Sequence, residues 1–149
     1  MRERAFCPVF LAQTDTTVGL LSKDKKRLAN IKKRGEEKPF LKNVSTYREL
    51  KSISRVPSKY KKIIRRKQKT TFIYPNNQAV RVVKNVGFED FLKRFGWQYS
   101  TSANRSGEKF DFNFIKDKVD IIIYTPNGFK EKRSSSLFAV SNSKIRRIR

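Results

Sequence analysis

The stretch "STSANRSGE" (Ser100–Glu108) sets four small hydroxyl side chains, an asparagine and a glycine around Arg105. Ser, Thr and Asn donate and accept hydrogen bonds, and the backbone N–H groups near Gly107 are uncrowded. Such a stretch is either a turn that satisfies its own backbone or a cradle for phosphate and ribose oxygens. Ser102 is not a protease-type nucleophile: the chain has no histidine to activate it, and no Gly-x-Ser-x-Gly elbow surrounds it. Three other groups carry chemistry. "TDTTVG" places Asp15 among Thr14, Thr16 and Thr17, just past an apolar run. Ligand sites gather at the carboxyl ends of strands, although an Asx or Thr turn has the same composition. "IKKRGEEKPF" offers Lys32, Arg34 and Lys38 as an anion site near a helix end, or as a solvated basic run. The segment from Lys59 to Lys69 carries Lys61, Lys62, Arg65 and Arg66. No aromatic is interleaved on its polar face, so it would read phosphates and not sequence, unless it is simply solvated. The neighbouring carboxylates Glu36–Glu37 and Glu89–Asp90 form no acid/base pair, and no catalytic acid or base is assigned.

Composition narrows the partners. Thirty-six Lys+Arg against thirteen Asp+Glu give +23, which attracts RNA, nucleotides or other polyanions without specifying a fold. The absence of histidine removes Ser-His-Asp and His-based zinc chemistry. Cys7 is the only cysteine, so there is no internal disulfide and no Cys-rich metal site. One buried thiol suits a reducing cytoplasm, and a cytoplasmic location is expected. The apolar content, 37%, is low, but twelve phenylalanines supply large buried areas. The start "MRERAFCPVFLAQTD" imitates a signal peptide, yet Pro8 and the missing cleavage pattern predict a buried first strand. No stretch approaches the length of a membrane span, and no membrane partner is expected.

These groups need elements to position them. "PVFLA" reads as a strand and "QTDTTVG" as a loop, with Ser22 capping a helix that ends near Gly35 and Pro39. "PFLKNV" reads as a strand, followed by a helix with a capping box at Thr46 and Glu49. Pro57 opens a basic helix whose apolar stripe is Tyr60, Ile63 and Ile64. "TTFIY" and "AVRVV" form a hairpin, and "GFEDFLKRFG" a helix with Phe88, Phe91, Leu92 and Phe95 inward, stopped by Gly96. "VDIIIYT" reads as a central strand, and "SLFAVS" with "KIRRIR" as a final hairpin. With no repeat and no linker, residues 1–149 read as a single α/β domain with mixed strand directions.

The order of these signals is more specific than any one of them. "TDTTVGL", Lys-x-Arg-x-x-x-Lys-Pro, "AVRV", "STSAN" with "SG", and "SSSLF" before a basic strand resemble the YrdC-like threonylcarbamoyl-AMP synthase family, over most of the chain. The resemblance implies a twisted, open mixed sheet flanked by helices, with a concave basic cavity. It implies condensation of L-threonine, bicarbonate and ATP, with Mg²⁺ and release of pyrophosphate, in the t6A37 modification of tRNA. tRNA-modification partner proteins and double-stranded RNA binding follow from it as well. On this reading Lys32, Arg34, Ser102 and Asn104 form the nucleotide set and Arg81 faces phosphate. Thr14 and Thr16 help hold threonine. The late serine is Ser135 or Ser136, taken as Ser135, and the late arginine Arg146 or Arg147, taken as Arg147. Lys61, Lys62, Arg65 and Arg66 are the RNA-binding candidates, and no protein-bound metal is expected. Gln13, Val18 and "RRKQKTTF" stand where the family usually has proline, tyrosine and "WPGPLT". A non-catalytic RNA-binding protein of the same fold is the alternative. A carbamoyl-transfer module of hydrogenase maturation ranks last, because those proteins add zinc-finger and acylphosphatase modules.

Overall fold

The computed structural model describes residues 5–35 and 39–149, with Val86 described by its backbone alone. Glu36, Glu37 and Lys38 therefore lie outside the described residues. The apolar run forms β1 (Phe10–Gln13), and the chain turns through the threonines directly into β2 (Val18–Ser22). The two pair antiparallel, with Phe10 opposite Leu21 and Gln13 opposite Val18. This corrects the reading of "TDTTVGL" as loop to the helix start. Val18, Leu20 and Leu21 are all buried, and a buried strand bears no alternation to announce it. It also moves the helix cap: Ser22 is the end of the strand, and Asp24 caps α1 (Lys25–Lys32) by accepting from the Lys26 and Arg27 amides. Helix α1 ends on Lys33 in the left-handed region (φ 51°), ahead of Gly35.

The chain continues through β3 (Leu41–Val44) to α2 (Tyr47–Ile53), where Thr46 Oγ1 accepts from the Glu49 amide at 3.1 Å. The Glu49 carboxylate instead takes the Ser45 hydroxyl at 3.1 Å, so only half of the capping box forms. A single 3₁₀ turn (Ser58–Tyr60) leads into α3 (Lys61–Arg66). Tyr60 and Ile64 are buried, but Ile63 is exposed: so short a helix turns only one edge to the core. The expected hairpin forms as β4 (Thr70–Ile73) and β5 (Ala79–Val82). Helix α4 (Val86–Phe95) buries Phe88 and Leu92, leaves Phe95 exposed, and ends at Gly96 (φ 81°). Then follow β6 (Gln98–Ser102), a short unanticipated helix α5 (Phe112–Ile115) capped by Asp111, and β7 (Ile121–Ile122). The last two strands are β8 (Ser136–Val140) and β9 (Ile145–Arg147), paired as the expected hairpin.

The nine strands among the described residues form one mixed sheet in the order β7-β1-β2-β6-β3-β5-β4-β8-β9. The pairs β1/β7, β3/β5 and β4/β8 are parallel. "VDIIIYT" is thus an edge and not a centre. Two of its residues pair with β1, and Ile121 is left exposed. Asp120 anchors that edge: its carboxylate accepts from the Val9 amide at 2.8 Å and binds Arg27 at 2.5 Å.

Residues opposed across a sheet point to the same face. On one face Leu11 and Leu20 share a core with Leu28 of α1, and Val44 and Val80 share one with Leu50 of α2 and Ile64 of α3. On the other, Phe10, Leu21 and Val83 pack against Phe88 and Leu92 of α4. Strand β6 serves both faces. Ser100 stands opposite Leu21 and Leu41, on the α4 side, and Tyr99 stands opposite Lys42, on the α1 side.

Candidate functional site

On the α4 side the sheet holds a cavity of about 310 Å³. Period-two alternation aims Ser100 and Ser102 of β6, Leu41 of β3 and Arg81 of β5 into it. Gly19 forms part of its wall. A Cβ there would sit 3.0 Å from Thr14 Cγ2 and 3.3 Å from the Thr101 carbonyl, so a larger residue would push the β1–β2 turn outward. Thr14, Thr16 and Thr17 come from that turn, Thr71 from β4, and Ser135 from the residue before β8.

The threonine turn is held by its own hydroxyls. Thr14 Oγ1 donates to the Thr17 carbonyl at 2.6 Å and accepts from the Thr16 amide at 3.1 Å. Its outer side is tied down by the later chain, through Lys130 N–H to Gln13 Oε1 at 2.7 Å and Lys132 N–H to Thr17 Oγ1 at 3.2 Å. Across the cavity Ser135 and Thr71 share a buried hydroxyl contact at 2.8 Å. The Ser135 carbonyl accepts from Arg149 Nη2 at 2.9 Å and Nε at 3.2 Å.

Charge is concentrated in three arginines. Arg81 is 3% exposed and its Nη2 lies 3.0 Å from Asp15 Oδ1. That distance is an ion pair, but the hydrogen is out of line. Among the described residues both Asp15 Oδ1 and Arg81 Nε lack a hydrogen-bond partner. Burial lowers the Arg81 pKa, and Asp15 opposes the shift. The guanidinium stays charged, because arginine does not deprotonate in proteins. Arg34 stacks 3.8 Å over the Phe40 ring and donates to the Pro39 carbonyl at 3.2 Å, while its buried Nε has no partner among the described residues. Burial lowers its pKa as well. Buried donors left unmade are costly in an isolated fold and are available to an anion.

The cavity therefore gathers Thr14, Thr16, Arg34, Arg81, Ser102 and Ser135 from the expected set. It does not gather Lys32, Asn104 or Arg147. Lys32 and Asn104 line a separate cleft of about 270 Å³ with Arg105 and Ser106. The Lys32 ammonium donates to the Ser102 carbonyl at 3.0 Å and also to the Asn104 carbonyl. Asn104 Nδ2 donates to the Glu108 carbonyl at 2.8 Å and closes the loop on itself. Both residues shape the loop that bounds the cavity instead of facing into it. Arg146 and Arg147 do not line the cavity, and the late arginine that does is Arg149. Two successive amides, Ile148 and Arg149, donate to the one Leu137 carbonyl. This two-on-one pattern of a β-bulge shifts the register past the point that alternation predicts. Of the late serines, Ser135 lines the cavity, and Ser136 begins β8. Lys38 lies outside the described residues.

Thr71 and Gly19 were missed by sequence reasoning. The threonine pair that opens the apolar run "TTFIY" is the signal that could have found the first, whereas Gly19 needs the neighbouring turn to be known. The RNA candidates Lys61, Lys62, Arg65 and Arg66 are exposed on α3. Tyr47 of the neighbouring α2 places an aromatic ring 4.3 Å from the Arg65 guanidinium. No helix among the described residues is long and apolar enough to cross a membrane.

The family model for Sua5, YciO and YrdC, whose description reads "Telomere recombination", matches residues 9–149. The uncharacterized protein MG259 of Mycoplasma genitalium is 30% identical over 106 residues, 66% of this chain and 21% of that protein. The chain thus spans about a fifth of that relative. E. coli YciO superposes with a TM-score of 0.77 at 20% identity, over 96% of this chain and 82% of that one. P. abyssi Sua5 complexed with L-threonine superposes with a TM-score of 0.74 at 16% identity, over 93% of this chain and 48% of that one. These likenesses are of fold, and they agree with the mixed sheet and its flanking helices. With the family model covering all but the first eight residues, the chain belongs to the Sua5/YciO/YrdC family.

Proposed function

We propose that the cavity binds ATP and L-threonine and forms threonylcarbamoyl-adenylate from them and bicarbonate, releasing pyrophosphate, for t6A37 modification of tRNA. The observation that carries this reading is the convergence of Arg34, Arg81 and Arg149 with Thr16, Ser102 and Ser135 from separate segments on one cavity. Guanidinium groups fixed before the substrate arrives stabilise charge developing on a transferred phosphoryl group. The Nε atoms of Arg34 and Arg81, without a hydrogen-bond partner among the described residues, are spare donors for polyphosphate oxygens. The Thr14–Thr16 turn offers hydroxyls of the size and polarity of a small amino acid's partners. Positioning and electrostatics suffice for such an adenylation, so no acid/base pair is required. Asp15 is engaged by Arg81, so Mg²⁺ would be held chiefly by the nucleotide's own phosphates. The Sua5 complex with L-threonine supports the amino-acid half of this reading.

Pyrophosphate release should require threonine, and Arg34→Ala should lower it about 10²–10³-fold, the usual cost of one transition-state donor. Release that is absent from the folded protein, or that ignores threonine, overturns the reading. The exposed face of α3 favours tRNA or double-stranded RNA as the macromolecular partner, through Lys61, Lys62, Arg65 and Arg66. Such binding should weaken steeply with salt as counterions are released.

A further inference from the structure

The face of β6 turned away from the cavity carries its own constellation. Trp97 and Tyr99 meet edge to face, with ring centroids 5.1 Å apart. Lys42 of β3 lies 4.1 Å from the Trp97 ring and 5.2 Å from the Tyr99 ring. Lys23 reaches over Gly96 to 5.7 Å from Trp97, and Lys25 to 5.7 Å from Tyr99. Both rings are partly exposed. Trp97 rests on the core beneath α2 and α3, and Tyr99 on the core beneath α1, so the pair sits where the two helical covers meet. Among the described residues none of the three lysines forms a salt bridge. The nearest acid in sequence, Asp24, is committed to capping α1. Burial first, and the neighbouring Lys25 second, push the Lys42 ammonium below the usual lysine value.

We infer that this Trp97–Tyr99–Lys42 face is a stacking platform for an unpaired segment of RNA, separate from the cavity and from the basic helix α3. Two adjacent rings accept bases by stacking, and three unpaired ammonium groups around them accept the intervening phosphates. An ammonium resting on an exposed ring is held more weakly than a base stacked on it. Each lysine can therefore give up its ring and take a phosphate. Charge complementarity selects nucleic acid over a protein partner, because the platform combines aromatic area with a threefold positive charge. A duplex hides its base faces, so the platform selects unpaired strands.

Trp97 is the only tryptophan in the chain, so its emission reports on this face alone. Titration with a single-stranded oligoadenylate should quench it saturably, and a duplex of equal length should not. The slope of log affinity against log salt should be about −2 for three phosphates on a single strand. With labelled oligoadenylate followed by anisotropy, Trp97→Leu and Tyr99→Leu should each weaken binding on the order of ten-fold. Lys42→Gln keeps the tryptophan and guards against a folding failure. It should lower the salt slope by about 0.7 while the quench persists at higher oligonucleotide concentration. ATP titration should be unchanged in Lys42→Gln, which separates this inference from the reading of the cavity. Binding of the single strand without change in Trp97 emission overturns the proposal. So does equal quenching by the duplex, or a salt slope unaffected by Lys42→Gln.

Discussion

The two faces of strand β6 hold their charge in opposite ways. On the cavity face Arg81 is buried against Asp15, the Thr14 hydroxyl is bound to the Thr17 carbonyl, and the Thr71 and Ser135 hydroxyls are bound to each other. On the far face three lysines lie over two rings and stay in contact with water. Charge on the first face is part of how the chain folds. Charge on the second is available to a partner at little cost to the fold. One strand does both because "QYSTS" alternates: Ser100 and Ser102 go one way, Tyr99 the other.

The sharpest break in this comparison is Asp15→Asn. It leaves Arg81 buried with no counter-charge, and loss of one partner from a buried pair costs about 3–5 kcal/mol. The urea midpoint should fall accordingly, and adding Arg81→Met should restore much of it. A single variant within about 1 kcal/mol of wild type would show that the pair does not organise this face.

Next in size is Lys32→Met. Its ammonium holds the Ser102 and Asn104 carbonyls, so the loop closing the cavity depends on it. A loss of roughly 1–2 kcal/mol is expected, the low end for hydrogen bonds from a charged group at a partly open site. Burial first, and Arg34 second, hold the Lys32 pKa below the ordinary lysine value. The unfolded chain then binds the proton more readily, so this group adds stability as pH rises through the interval just below that value. As pH rises toward the ordinary lysine value, the wild type should gain on Lys32→Met in denaturant titrations. Parallel curves would remove the assigned burial.

Smaller again is the Arg27–Asp120 pair, where the same chemistry sits at a partly exposed edge. The Arg27 hydrogen bond lowers the Asp120 pKa, helped by the Val9 amide. Its contribution is complete above the ordinary carboxylate value of about 3.9 and is lost as pH falls through the lowered one. Asp120→Asn should cost no more than about 1 kcal/mol at neutral pH and should flatten the acid limb of the stability curve.

What could be read from the sequence follows the same division. The Arg81 strand and the threonine turn were legible because short polar residues beside apolar runs mark strand ends, whereas Ser100–Ser102, read as a loop, are the end of strand β6. Strand β2 was hidden because a strand buried on both faces shows no alternation. Arg149 was hidden by a bulge, which moves a side chain by one register position without leaving a composition signal. Lys32 and Asn104 were singled out together by the family resemblance, but their direction was not legible. Whether an ammonium points into a cavity or back onto two carbonyls depends on the packing of α1 against β6. The Trp97–Tyr99 platform needs Lys23, Lys25 and Lys42 brought from two other segments, and only the sheet order joins them.

The smallest expected effect is the one that completes the comparison. Lys42→Gln removes a charge that makes no salt bridge among the described residues, so its stability cost should lie within about 0.5 kcal/mol. The sign follows from two opposing terms. The variant loses an ammonium-over-ring contact, worth about 0.5–1 kcal/mol at an exposed site, and it relieves repulsion from Lys25 and the partial burial of a charge. These nearly cancel in the isolated protein. With RNA bound they do not, because the lysine is then asked to neutralise a phosphate and not to decorate a ring. Thermal denaturation with and without single-stranded oligoadenylate reads the difference. The wild type should be stabilised more than Lys42→Gln, while the two coincide without RNA. A large loss in the free protein would make Lys42 a structural residue and place both faces of β6 under the same constraint.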